Sequence, residues 1–272
     1  MLRDITLGQY YQTESVIHRL DPRVKLVTTI VFIISLFVFK GIAGYAIAAL
    51  FLLLAIKLSH VPFKFMVKGM KAVVFLLMIT VVFNLFLTPG EALFTIWKLT
   101  ITREGLKLAI QMAIRLCFLI IGSSIMTLTT TPNQLTDGME SLLRPLNRIK
   151  VPVHEIAMMM SIALRFIPIL LEETDKIMKA QIARGADFEN GNVIKRAKNM
   201  VPLLVPLFIS AFRRANDLAM AMEARCYRGG DNRTKMKPLK YEKRDRLTYA
   251  FVLAYLVVGI FAGNLTKSIG LG

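Results

Sequence analysis

Two arginines are the first residues in this chain to which a chemical task can be assigned. Arg184 closes the segment Ala180-Gln181-Ile182-Ala183-Arg184, followed by Gly185, and Arg225 closes Ala221-Met222-Glu223-Ala224-Arg225, followed by Cys226. Both read Ala-x-x-Ala-Arg, and the copies stand 41 residues apart. Arginine near a helix C-terminus complements the helix dipole, worth ~0.3–1 kcal/mol, and Gly185 is an ordinary left-handed helix stop. One copy would carry no more than that local meaning. Two copies on similarly built helices point to recognition. Small residues keep a helix end slim enough to enter a groove. A guanidinium presents a planar fork of donors that fits a carboxylate bidentately. Two similar tips suit two similar partner surfaces, either a homodimer or a pair of homologous subunits, bound helix-in-groove.

The remaining reactive residue types exclude several functions. His18, His60 and His154 are far apart with no ligand spacing, so no metal site is expected. Cys117 and Cys226 make no disulfide framework. The phosphate-binding pattern Gly-x-x-x-x-Gly-Lys-[Ser/Thr] is missing, so the chain should not hydrolyse ATP itself. Its acidic residues fall on helix surfaces and linkers rather than converging, which argues against an enzyme. No cofactor is expected. Lys107, Gln111 and Arg115 share one helical face inside an apolar run, and an intramembrane charge is a functional hypothesis by default. Arg115 either lines a polar path or takes a buried pairing or carbonyl-capping role, and the second is favoured.

The elements that carry these residues follow from composition. Of 272 residues, 55% are hydrophobic and 19% charged, with a formal net charge of +17. So apolar a chain of this length is expected to be a multi-span α-helical membrane protein. The first 25 residues are polar and resemble no cleavable signal. Five spans stand out, at about residues 26–39, 42–58, 70–87, 106–128 and 247–263. The first is short for a full crossing. Lysine and arginine collect before the first span, between the second and third, and above all between the fourth and fifth. That bias places the N-terminus in the cytoplasm and the C-terminus outside. It also accounts for the positive charge without nucleic acid.

The expected architecture is therefore an all-α membrane protein in three parts: 1–128 with four spans, 129–246 as a cytoplasmic coupling domain of about three helices, and 247–272 with the last span. The inserted region is too long for a structureless loop. Thr131-Pro132 reads as a helix start and Pro145 as its end or kink. Two long patterns follow, beginning at Pro152 and near Ile194. Each is apolar first and amphipathic later, with Pro168 kinking the first, and each ends at its Ala-x-x-Ala-Arg. The apolar halves are long enough to touch the bilayer or other spans. Met158, Met159 and Met160 offer either an adaptable docking face or ordinary gap filling.

Five stretches in order, "HRLDPRVKL", "TLTTTPNQL", "LRFIPIL", "AQIARG" and "AMEARCYRGG", resemble the transmembrane T component (EcfT, related to CbiQ) of energy-coupling factor transporters. These are vitamin and metal-ion importers of the ABC class. The resemblance spans most of the chain and implies two Ala-Arg-Gly signatures at the ends of two coupling helices. It implies that Ala183, Arg184, Gly185, Ala224, Arg225 and Cys226 engage two cytoplasmic ATPase subunits. Arg165, Pro168, Ala180 and Ala221 would support the coupling helices. A substrate-binding S component and membrane lipid would be the other partners, and ATP-driven closure would shift the helices and reseat the S component. Cys226 departs from the glycine usual in the second signature. Cysteine is small enough for groove entry, and Gly229-Gly230 would then supply the helix break. The rival readings are a conventional ABC permease and a self-sufficient secondary carrier, which would show inverted repeats and broken spans.

Overall fold

The computed structural model describes residues 10–39, 41–70, 73–89, 92–96, 99–188, 192–230 and 236–268. The turn residues Lys40 and Gly90, Glu91 and Lys98 of the short loop, and parts of both linkers around the long helices lie outside them. In chain order the elements are α1 (Pro22–Val38), α2 (Gly41–Ser59), α3 (Phe63–Met70), α4 (Val74–Leu87), β1 (Ala92–Ile96), β2 (Leu99–Thr102), α5 (Arg103–Thr129), α6 (Pro132–Leu143), a 3-10 segment (Arg144–Ile149), α7 (Val153–Ala183), α8 (Val193–Ala224) and α9 (Lys243–Ser268). The regular secondary structure of the described residues is thus helical apart from the antiparallel hairpin β1–β2, in which Ala92 pairs with Thr102 and Ile96 with Leu99.

Among the described residues, four helices are long and apolar enough to cross a membrane: Gly41–Ser59, Arg103–Thr129, Val153–Ala183 and Lys243–Gly263. Three of them match the second, fourth and fifth expected spans. The helices at the first and third expected spans have 17 and 14 residues, below the ~20 that cross the hydrocarbon core unaided. The fourth long apolar helix is α7, which the sequence assigns to the inserted region. Its first half, from Ile156 to Leu171, carries one charge, Arg165. This satisfies the length and polarity of a span as well as those of a buried coupling helix.

The chain divides into two compact units. The first comprises residues 8–138 and 239–272. Its core is an aromatic and aliphatic cluster including Phe32, Leu36, Phe39, Leu52, Met66, Ile125 and Tyr255. Tyr255 stacks on Phe51 with 4.4 Å between ring centroids, and its hydroxyl shares a 2.6 Å hydrogen bond with Ser35. That pairing keeps a polar tip satisfied inside an apolar core. Arg115 is held here as well. Its Nη2 and Nε donate to the Tyr45 hydroxyl at 2.7 and 3.1 Å, and its guanidinium lies 5.1 Å from the Phe37 ring centroid. Arg115 is thus partly buried, with an uncharged hydroxyl as its hydrogen-bond partner.

The motif "HRLDPRVKL" ties the start of α1 to the start of α9. Asp21 caps α1 by accepting from the Arg23 amide, and Pro22 takes the first helical position. Its carboxylate also receives Arg23 Nε at 3.0 Å and Nη2 at 2.8 Å. The Arg23 guanidinium lies 3.9 Å over the Tyr241 ring. The Asp21 amide donates to Asp245 Oδ1 at 3.0 Å, while the Glu242 amide donates to Asp245 Oδ2 at 2.8 Å. Buried Asp245 thus accepts two backbone donors at a helix N-terminus, where negative charge is favoured. Lys25 completes the node: Nζ donates to the carbonyls of His18 and Thr129 at 3.1 and 2.8 Å.

The second unit spans residues 139–238. Helix α6, whose last residues enter it, begins within the first unit at a capping box. The Gln134 amide donates to Thr131 Oγ1 at 3.3 Å, and the Thr131 amide donates to Gln134 Oε1 at 3.2 Å. The helix stops at Leu143, and the 3-10 segment around Pro145 ends at Lys150 with φ 61°.

Candidate functional site

The site is built on α7 and α8, which run antiparallel in the second unit. Glu173 meets Arg214 in a 2.6 Å ion pair. Further along α7, but earlier along α8, Gln181 Nε2 donates to the Pro202 carbonyl at 3.3 Å. Beyond both, Asn199 Nδ2 donates to the Asp187 carbonyl at 2.6 Å. At the other end of the pair, the Gly230 backbone lies against the His154 ring. A Cβ on Gly230 would come within 2.3 Å of that ring, so no side chain fits there. His154 Nδ1 in turn lies 2.9 Å from Glu140 Oε1.

The Gln181 contact has a cause in the sequence. In a regular helix the carbonyl of residue 202 accepts from the amide of residue 206. Residue 206 is proline and has no N–H. The Pro-x-x-x-Pro spacing of Pro202 and Pro206 therefore frees a carbonyl within α8, and the Gln181 amide fills it. Pro168 inside α7 frees the Leu164 carbonyl by the same rule, and the helix runs on through it to Ala183.

The two tips have the same construction. Arg184 is the cap residue of α7 with φ −87° and ψ 6°, and Arg225 that of α8 with φ −92° and ψ 12°. In the first tip the Gly185 amide donates to Ile182 O at 2.9 Å and the Ala186 amide to Gln181 O at 3.0 Å. In the second the Cys226 amide donates to Glu223 O at 2.8 Å and the Tyr227 amide to Met222 O at 3.1 Å. Both are complete Schellman closures. They require a left-handed residue after the arginine, and it is Gly185 with φ 86° and Cys226 with φ 55°. This corrects the expectation that Gly229-Gly230 supplies the second break. Cys226 turns the chain itself, at a cost of about 1–2 kcal/mol relative to a right-handed conformation.

Ala180, Ala183, Arg184 and Gly185 are all exposed, as are Ala221, Ala224, Arg225 and Cys226. Neither signature guanidinium has an ion-pair or hydrogen-bond partner among the described residues. Small side chains clear each tip, the arginine stands free on it, and the last carbonyls are already bonded. The arrangement suits an acidic groove on a partner. It holds no nucleophile–base pair, and no group of three or more His, Cys, Asp or Glu that could hold a metal ion occurs among the described residues.

The structure brings each Ala-Ala-Arg trio together but sets the two trios at opposite ends of the α7–α8 pair. From the Glu173–Arg214 contact each arginine is 11 residues further on, roughly 16 Å along its helix. Arg165 is exposed on α7, three residues before Pro168, and pairs with no acid among the described residues. Arg115 belongs to the other unit. The sequence reading missed Gln181, Glu173, Arg214 and the Gly230–His154 contact. A usable signal was present: Glu173 and Arg214 are separated by the same 41 residues as the two signatures.

Comparison with known proteins bears on what these tips serve. Residues 13–236 match the family described as CbiQ, cobalt transport protein. The chain is 56% identical over 265 residues to the energy-coupling factor transporter transmembrane protein EcfT of Clostridium kluyveri, covering 96% of this chain and 98% of that one. It is 55% identical over 261 residues to the protein of that name from Thermosediminibacter oceani, covering 96% of each. To that of Bacillus subtilis it is 47% identical over 246 residues, covering 90% and 93%.

Proposed function

The chain belongs to the CbiQ/EcfT family of energy-coupling factor transporter transmembrane proteins, and from that premise we propose that it is the non-catalytic coupling subunit of an ATP-driven importer. Arg184 and Arg225, each with its flanking alanines and left-handed cap, dock into acidic grooves on two cytoplasmic ATPase subunits. Residues 129–246 form the coupling domain, with α7 and α8 as its levers. Five spans, completed by the shorter α1 and α4, anchor it with the N-terminus inside and the C-terminus outside. Closure of the ATPases moves the two tips, and the levers pass that motion to a substrate-binding S component, which selects the vitamin or metal ion carried.

The observation that carries the reading is the identity of the two tips. The same cap dihedrals, the same pair of closing hydrogen bonds and the same exposed Ala-x-x-Ala-Arg recur where glycine and cysteine differ. A helix stop needs only one of these features, whereas two alike partner grooves need all of them twice. The test is co-purification in mild detergent at moderate salt. Each charge-assisted bond lost is worth ~1.5–3 kcal/mol. Arg184→Ala with Arg225→Ala is expected to strip the ATPases from the membrane subunit and abolish uptake, while each single variant weakens recovery. Full ATPase recovery and transport in the double variant would refute the proposal.

A further inference from the structure

A groove of about 540 Å³ opens in the first unit between the N-terminal turn and helices α1, α2, α5 and α9. Its walls include Val16, Leu20, Phe32, Leu54, Met126 and Phe251. Three of its helices are among those long and apolar enough to cross a membrane. Its charged lining residues are Arg244, at the start of α9, and Lys25, near the start of α1, with Thr28 a turn after Lys25, and the Asp21–Asp245 contact joins those two helix starts. Arg244 Nε and Thr28 Oγ1 are both buried and without a hydrogen-bond partner among the described residues, although Arg244 Nη2 pairs with Glu242 at 2.8 Å. Buried donors of this kind cost free energy unless something fills them. About two helical turns further along α9 the lining is aromatic and aliphatic, at Phe251 and Val252.

We propose that this groove is a site for an anionic phospholipid, with one acyl chain lying along Phe32, Leu54 and Phe251 and the headgroup phosphate on Arg244. The volume lies within the range of small-ligand sites, about 300–1,000 Å³. The gradient from a cationic mouth to an apolar floor matches the amphipathic shape of a lipid rather than that of a soluble anion or a uniformly apolar helix. Lys240, Lys243 and Arg246 surround Arg244 in sequence. A basic cluster just outside an apolar helix attracts anionic headgroups. The lipid would then wedge between α1, α5 and α9, next to the node at Asp21, Lys25 and Asp245.

The experiment uses the full chain, with Trp97→Phe and Phe251→Trp giving one reporter tryptophan in the groove, in phosphatidylcholine vesicles. Brominated phosphatidylglycerol or brominated phosphatidylcholine is titrated and quenching is read. Half-maximal quenching is expected at about a fivefold lower mole fraction of the anionic lipid, and Arg244→Gln should merge the two curves. Leu54→Trp gives a second reporter if Phe251→Trp disturbs the stack on Phe51. Coincident curves in the parent protein would mean ordinary boundary lipid and overturn the site. So would a preference untouched by Arg244→Gln, or relief of quenching by soluble glycerol phosphate. Loss of quenching on assembly with partner subunits would assign the groove to a protein helix instead. The quenching readouts on the isolated chain do not depend on ATPase docking.

Discussion

At the scale of single residues, Cys226 is the most informative departure. A left-handed φ of 55° there means that the second tip retains the shape of the first while giving up the residue best suited to it. Cys226→Gly is expected to stabilise the closure by up to about 1 kcal/mol, because part of the relieved strain is offset by glycine's greater freedom when unfolded. Cys226→Val should open it, since a β-branched residue resists positive φ. Hydrogen exchange at the Tyr227 amide, bonded to Met222 O, would read both changes. His18 makes a second case. Its Nδ1 lies 2.7 Å from Ser15 Oγ and its Nε2 3.0 Å from the Tyr11 carbonyl. Burial, with Lys25 nearby, holds the imidazole below its ordinary pKa of 6.5, against the opposing hydrogen bond to Tyr11. The folded state therefore binds fewer protons than the unfolded one just below pH 6.5. The stabilisation is present above that value and is lost as pH falls through the depressed folded pKa. Protection of the Tyr11 amide, which donates to Leu128 O, should fall over that acid window, and His18→Gln should flatten the response.

At the scale of elements, the sequence yielded the existence and order of the helices better than their roles. Thr131-Pro132 marked a start because a capping box and a first-turn proline are local signals, and Pro145 marked an end for the same reason. The hairpin β1–β2 was hidden because its strands are only five and four residues long. The role of α7 was ambiguous because an apolar run of this length satisfies a membrane span and a packed coupling helix equally. Gln181 was invisible because its meaning depends on a carbonyl freed in another helix. Pro206→Ala restores an N–H to compete for Pro202 O. It is expected to detach Gln181 from α8, lengthening the distance between spin labels placed at Lys179 and Met200. Gln181→Ala, which removes the same contact, should lengthen it as well.

At the scale of the whole chain, one polypeptide carries two equivalent tips, so its stoichiometry should differ from that of a conventional permease. Quantitative mass spectrometry of the purified assembly is expected to give one copy of this chain with two ATPase chains, and two with two would favour the permease reading. The duplication has a further consequence. Glu173 and Arg214 hold equivalent positions in the two copies and touch each other across antiparallel helices. A pair of this kind marks a local pseudo-twofold axis. In a true homodimer the residue on such an axis meets its own copy, so two glutamates or two arginines would repel. Fusing both halves into one chain lets the copies diverge where they meet while staying alike at their tips. The axis can then be held by opposite charges, an attraction that exact symmetry forbids.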